Sequence, residues 1–193
     1  MTQTADDRES PVITPFRWTV DRYHQAIAAG IFEGQPIELL AGELIEMSPE
    51  GIPHAGLSSD AADYLRERLK GQAKVREAKP ITLPNDSEPE PDIAIVKPLT
   101  DLYKTERHPQ VADIFWVIEY ANTSLEKDLY IKRQIYAQAM IPEYWVINLR
   151  TRELVVFRDP VADTYQSTQI MTRGTLYPLS FPTTPLEVDR LLY

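Results

Sequence analysis

Three consecutive runs decide the fold: Ile114-Phe115-Trp116-Val117-Ile118-Glu119-Tyr120, then Thr123-Ser124-Leu125-Glu126 and the residues up to Met140, then Glu143-Tyr144-Trp145-Val146-Ile147-Asn148-Leu149. The first and last are almost wholly apolar and rich in β-branched and aromatic residues, the mark of strands covered on both faces. Trp116, Tyr144 and Trp145 are therefore read as core. Between these strands, Thr123-x-x-Glu126 has capping-box spacing and opens a helix that Pro142 closes. Upstream, Asp92 to Val96 is a short apolar strand, joined to Ile114 by a polar loop from Lys97 to Asp113. Lys74 to Leu83 reads as a strand broken by Pro84-Asn85-Asp86-Ser87. A helix from about His54 to Lys70 places Leu57, Ala61, Leu65 and Leu69 on one face, with Gly71 as its stop. The order is helix, strand, strand, strand, helix, strand: an α/β fold with a mixed sheet flanked by helices.

Further out, Trp18 to Phe32 reads as a helix, and Ile37–Leu40 with Glu43–Met47 as a hairpin turning at Ala41-Gly42. Leu154–Phe157 and Tyr165–Met171 read as extra C-terminal antiparallel strands, with a last helical turn near Leu186–Leu192. Residues 1–15 are expected to be a loose arm and 16–193 a single domain. With 193 residues, 43% apolar and 25% charged, one domain is the natural size. The lack of cysteine excludes disulfide scaffolds, thiolate zinc sites and cysteine nucleophiles. Three histidines, at 24, 54 and 108, leave little room for a histidine-built metal site. No run approaches the ~18–20 apolar residues of a membrane span, and the polar N-terminus lacks the apolar stretch of a signal peptide. A cytoplasmic protein is the expectation. Twenty basic against 29 acidic residues, a formal charge of −9, argue against holding nucleic acid by charge alone. They leave open a local site that works through metal ions.

Two carboxylates stand at the ends of apolar strands, Asp92 and Glu119. If their strands pair as an antiparallel hairpin, the start of one lies beside the end of the other. Two such acids repel unless a proton or cation sits between them. Oxygen ligands without cysteine suit Mg²⁺ or Mn²⁺. On the helix after Glu119, about 100° per residue from Leu125, the apolar positions Leu129, Ile135, Tyr136, Ala139 and Met140 span an arc of about 140°. Lys132 falls near the middle of that arc, and Lys127 and Arg133 at or beyond its margin as solvated charges. Lys132 is expected either to pair with Asp128 at i,i+4 or to reach back to the two acids. A carboxylate–carboxylate–lysine cluster suits metal-assisted hydrolysis of a phosphodiester. Glu88 and Glu90 are most simply read as solvated, though either could lend charge to a metal. Removing the charge in Lys132→Ala is expected to leave folding nearly intact.

Pro91-Asp92 followed by Glu119, set on this core, resembles the PD-(D/E)XK nuclease superfamily and its restriction-endonuclease-like core. Gly42-Glu43-Leu44-Ile45-Glu46-Met47-Ser48-Pro49 with His54 following resembles, more closely, the bacterial Uma-two family of putative restriction endonucleases. So does Asp128-x-x-x-Lys132-x-x-x-Tyr136 leading into Ile141-Pro142-Glu143-Tyr144-Trp145-Val146-Ile147. The resemblance implies Asp92 and Glu119 as ligands of Mg²⁺ or Mn²⁺ and Glu43 as an additional acidic site residue. It implies Lys132 as the motif lysine moved onto the helix, since position 121 is Ala. His54 is a candidate substrate-binding residue. DNA is the implied substrate, and a homodimer would supply two active sites for a duplex. Two other readings stay open: an inactive nuclease-fold binding or regulatory protein, and a metal-dependent hydrolase of small phosphate esters.

Overall fold

The structure, a computed structural model, describes residues 14–193. The expected arm therefore falls almost wholly outside the described residues. Helix α1 (Val20–Ala28) is capped by Thr19, whose Oγ1 accepts from the Arg22 N–H at 3.3 Å. It ends earlier than its apolar spacing suggests, because Gly30 at φ +73° turns the chain out of the helix. Strands β1 (Ile37–Leu40) and β2 (Glu43–Glu46) form a two-stranded hairpin of their own. Helix α2 (Ile52–Arg68) follows, two residues earlier at each end than its periodicity predicts.

The main sheet has six strands: β3 (Lys74–Glu77), β4 (Ile93–Val96), β5 (Ile114–Ala121), β6 (Glu143–Asn148), β7 (Glu153–Val161) and β8 (Thr164–Met171). They lie side by side in chain order, and only β5 and β6 run parallel. The helical crossover between those two strands is what permits parallel pairing. One face packs Trp116, Ile118, Tyr120 and Trp145 against α2 and the C-terminal segment. The other packs Val117, Tyr144 and Val146 against Ile135 and Tyr136 of α4 (Arg133–Gln138). Both faces are covered, as the unbroken apolar runs require. The C-terminal segment adds a short β9–β10 pair (Thr175–Leu176 and Leu186–Glu187) and α5 (Asp189–Leu192). Strand β3 is shorter than Lys74–Leu83: Ala78 sits at φ +42°, and the chain beyond makes only isolated bridges at Thr82 and Leu83. No helix among the described residues is long and apolar enough to cross a membrane.

The 97–113 connection holds a helical turn, α3 (Leu102–Thr105), and is fastened by an ion pair. Arg107 donates to the buried Asp113 carboxylate at 2.5 Å, and the Gln110 N–H donates to it at 3.0 Å. Burial pushes Asp113 up, but these donors outweigh it and hold its carboxyl below the usual range. A depressed folded-state value contributes stability that is present above the ordinary value of 3.8 and lost as pH falls through it. Asp113→Asn is accordingly expected to cost about 1–3 kcal/mol at neutral pH. Its deficit against the parent in urea unfolding should shrink at pH 3; a deficit independent of pH would remove the ion pair as its cause.

Candidate active site

Asp92 immediately precedes β4, and Ile93 lies opposite Ile118 in the antiparallel β4–β5 pair. The next positions outward are Asp92 and Glu119, so the sheet brings together two acids 27 residues apart in sequence. The Tyr120 N–H donates to Asp92 Oδ2 at 2.5 Å, which fixes the carboxylate at the strand end. Glu119 is buried, and its Oε1 accepts from Lys132 Nζ at 2.9 Å and from the Tyr136 hydroxyl at 2.8 Å. Both donors use the same oxygen, so neither holds Oε2.

Lys132 arrives through a π-helical stretch, Lys127–Lys132, that leads straight into α4. The helix starts at Leu125, one residue after Ser124, and Ser124 Oγ donates to Asp128 Oδ2 at 2.6 Å. The Tyr144 hydroxyl donates to the Asp128 carbonyl at 3.1 Å within the widened stretch. Such wide turns concentrate at functional sites. Here one buries both Asp128 and Lys132. Lys132 does not form the i,i+4 pair with Asp128. It lies between Glu119 and Glu38, 3.3 Å from Glu38 Oε2.

Glu38 was not anticipated. It projects from β1, is fully buried, and also takes Lys127 Nζ at 3.1 Å. Lys127 is thus a partner of the cluster rather than a solvated margin residue. The signal for Glu38 was the one that marked Glu119, a lone acid inside an apolar strand, Ile37-Glu38-Leu39-Leu40. Glu43, implied by the family resemblance, is not brought to the cluster. It is exposed and pairs with Arg17 at 2.5 Å at the turn end of the hairpin. Glu88 and Glu90 are not solvated either: Glu88 is buried, and Glu90 is half-buried and lines the cleft.

His54, near the start of α2, stacks on Tyr120 and places Nε2 2.9 Å from Asp92 Oδ2. That contact is close enough for an ion pair but lacks hydrogen-bond alignment, and Nε2 is buried with no hydrogen-bond partner. Burial pushes the imidazole down, yet Asp92, with Glu50 and Glu119 beyond it, raises it on balance. Glu50, in the turn before α2, was also missed; nothing in a Pro-Glu-Gly turn marks it.

Together these residues line a cleft of about 820 Å³. Seven carboxylates face it against two lysines. Burial, opposed by Lys132 and reinforced by the neighbouring acids, pushes Glu119 up to about 8. Burial would lower Lys132, but Glu119, Glu38 and Asp128 outweigh it, so the ammonium stays charged. The surplus negative charge must be met by protons or a cation. Donor atoms of Glu50, His54 and Asp92 lie within 4.8 Å of one another, and the unpartnered His54 Nε2 is one of the two nitrogens that ring can offer. The residues therefore fit a divalent ion that accepts oxygen with one imidazole.

The fold and cleft define a class: an α/β protein whose mixed sheet presents an acidic, lysine-centred pocket at its strand ends. Comparison with known proteins gives the family. The sequence profile of the Uma2 family, described as "Putative restriction endonuclease", matches residues 20–188, and the chain belongs to that family. No curated protein matches it. Among solved structures, the fold is similar to that of a protein described as a putative nuclease belonging to DUF820, from Anabaena variabilis ATCC 29413. The TM-score is 0.62 at 17% identity, covering 81% of this chain and 89% of that one.

Proposed function

We propose that this protein is a cytoplasmic Mg²⁺- or Mn²⁺-dependent endonuclease that hydrolyses DNA phosphodiester bonds, acting as a homodimer so that both strands can be reached. One observation carries the reading: a buried ammonium, Lys132, clamped on Glu119 beside Asp92 in a cleft with an uncompensated excess of carboxylate. Asp92 and Glu119 would hold the metal, with Glu50 and His54 completing the set around Asp92. The His54 imidazole favours Mn²⁺ over a strictly oxygen-seeking Mg²⁺. When bound, the ion supplies Lewis-acid polarisation of the phosphate and a lowered pKa for its water.

The chain's own residues do the rest. Lys132, itself buried, would place a fixed positive charge where the phosphorane-like transition state gathers negative charge. Tyr136 and Glu38 hold that ammonium and its partner carboxylate in place, by the Glu119 hydrogen bond and by the 3.3 Å pair. Lys127, part-exposed at the cleft, sets a second cation beside Glu38. This local arrangement answers the −9 charge, since a phosphate would be met by ions and two lysines rather than by a basic surface.

The test is plasmid nicking with Mg²⁺ and with Mn²⁺, beside hydrolysis of a small phosphodiester. The expected result is metal-dependent conversion of supercoiled to open-circular and linear plasmid, abolished by EDTA. Cleavage of the small ester alone would move the assignment to a small-molecule phosphodiesterase. No cleavage together with no saturable Mn²⁺ binding would mark a binding protein on a nuclease fold.

A further inference from the structure

Two of the three histidines meet away from this cleft. His24, on α1, places Nε2 2.8 Å from both carboxylate oxygens of Glu88. His108, from the 97–113 connection, joins them, its ring 6.2 Å from that of His24 at a steep angle. One donor atom from each of His24, Glu88 and His108 lies within 4.8 Å of the other two. Three remote stretches of sequence converge here.

Glu88 is buried at 2% exposure and rigidly held. Its N–H donates to the Leu39 carbonyl at 2.7 Å, and Thr82 Oγ1 donates to its Oε2 at 2.7 Å. His108 contributes the telling feature: its Nδ1 is buried and has no hydrogen-bond partner. An orphaned buried nitrogen costs free energy unless something satisfies it. His24 is half-exposed, so one flank of the group is open to solvent.

We propose that His24, Glu88 and His108 form a second metal site, selective for Zn²⁺ or a similar borderline ion. Two imidazoles and one carboxylate, with a place left for water, are a zinc donor set rather than a magnesium one. Thr82 supplies the outer hydrogen bond that orients the carboxylate ligand. The site is separate from the acidic cleft but joined to it through the chain. Glu88 lies four residues before Asp92, and between them the Glu90 N–H donates to Glu38 Oε2 at 3.4 Å. Zinc would pin α1 and the 97–113 connection onto the segment that delivers Asp92 to the cleft.

The experiment is calorimetric Zn²⁺ titration and Co²⁺ absorption of the full chain carrying His54→Ala, which weakens competition from the Glu50–His54–Asp92 group. One equivalent of Zn²⁺ is expected, with affinity reduced at least tenfold by adding His24→Ala or His108→Ala. Zn²⁺ should raise the melting temperature of the parent and not of His24→Ala. Mn²⁺ affinity of otherwise native protein should be the same with and without His24→Ala. His24 is exposed on α1, so its variant reports even if His108→Ala fails to fold. Zn²⁺ binding indifferent to His24, or no saturable Zn²⁺ binding, would overturn the site. Failure of plasmid cleavage would bear only on the acidic cleft.

Discussion

Lys132→Ala is expected to destabilise the protein by about 3–5 kcal/mol at pH 7, the usual cost of removing one partner from a buried ion pair. Helical position alone would give the opposite sign, since a charge on an apolar face should be a burden. The structure reverses the sign because the ammonium sits between Glu119 and a fully buried Glu38. Its loss leaves the buried Glu38 with Lys127 alone and takes from Glu119 the cation that opposes its burial. Glu38, which burial alone would raise, is held below its usual range by Lys132 and Lys127. That contribution is present above the ordinary value of 4.5 and lost as pH falls from there through the depressed folded-state value. Urea unfolding should therefore show the gap between Lys132→Ala and the parent narrowing at pH 4. The double variant Lys132→Met with Glu38→Gln should recover part of the stability without restoring cleavage. A Lys132→Ala chain as stable as the parent at pH 7 would sink the ion-pair account, and one cutting plasmid equally fast would sink the catalytic role.

Asp92→Ala should have the largest effect on chemistry and a modest one on folding. Asp92 is only partly buried and stands at a strand end, so its removal leaves the β4–β5 ladder intact. The carboxylate belongs to the Glu50–His54–Asp92 group and faces Glu119 across the sheet. Metal-borne stabilisation of a phosphoryl transition state is worth several kcal/mol, so plasmid cleavage should fall by about three orders of magnitude or more. Mn²⁺ binding, followed by calorimetry, should weaken in parallel. His54 should report the change independently: without Asp92, its raised imidazole should titrate lower in an NMR pH series. Retained cleavage with a lowered His54 would exclude Asp92 from the mechanism while confirming the contact.

What could be read from sequence was whatever depended on neighbours in the chain. Consecutive apolar strands pair, so Asp92 beside Glu119 followed from order alone. Helical spacing located Lys132, and the buried runs located both layers of the core. Glu38 and the hairpin that carries it escaped, because the hairpin docks through contacts remote in sequence, the Leu39–Glu88 bridge and the Gly42 and Ala41 N–H groups donating to the Asp86 carbonyl and Ser87 Oγ, which local pattern does not encode. The same docking buries Glu88, which sits in a proline-rich loop and looks solvated. Glu43 was drawn in by the family resemblance; it shares a face with Glu38 but stands at the turn end of the hairpin, where Arg17 takes its carboxylate. The shortened β3 reflects Ala78 at positive φ, a conformation that residue type does not announce.

The widened turn at Lys127–Lys132 has a consequence for how this protein can vary. A π-turn amounts to an α-helix carrying one surplus residue. The orientation of Lys132 relative to Asp128 is therefore set by chain length rather than by side-chain identity. Loss of a single codon here, for instance that of the outward-facing Tyr130, would let the spiral tighten and turn one end against the other by roughly 100°. In this segment, substitutions at outward-facing positions leave the pocket in place; small insertions and deletions decide whether it exists.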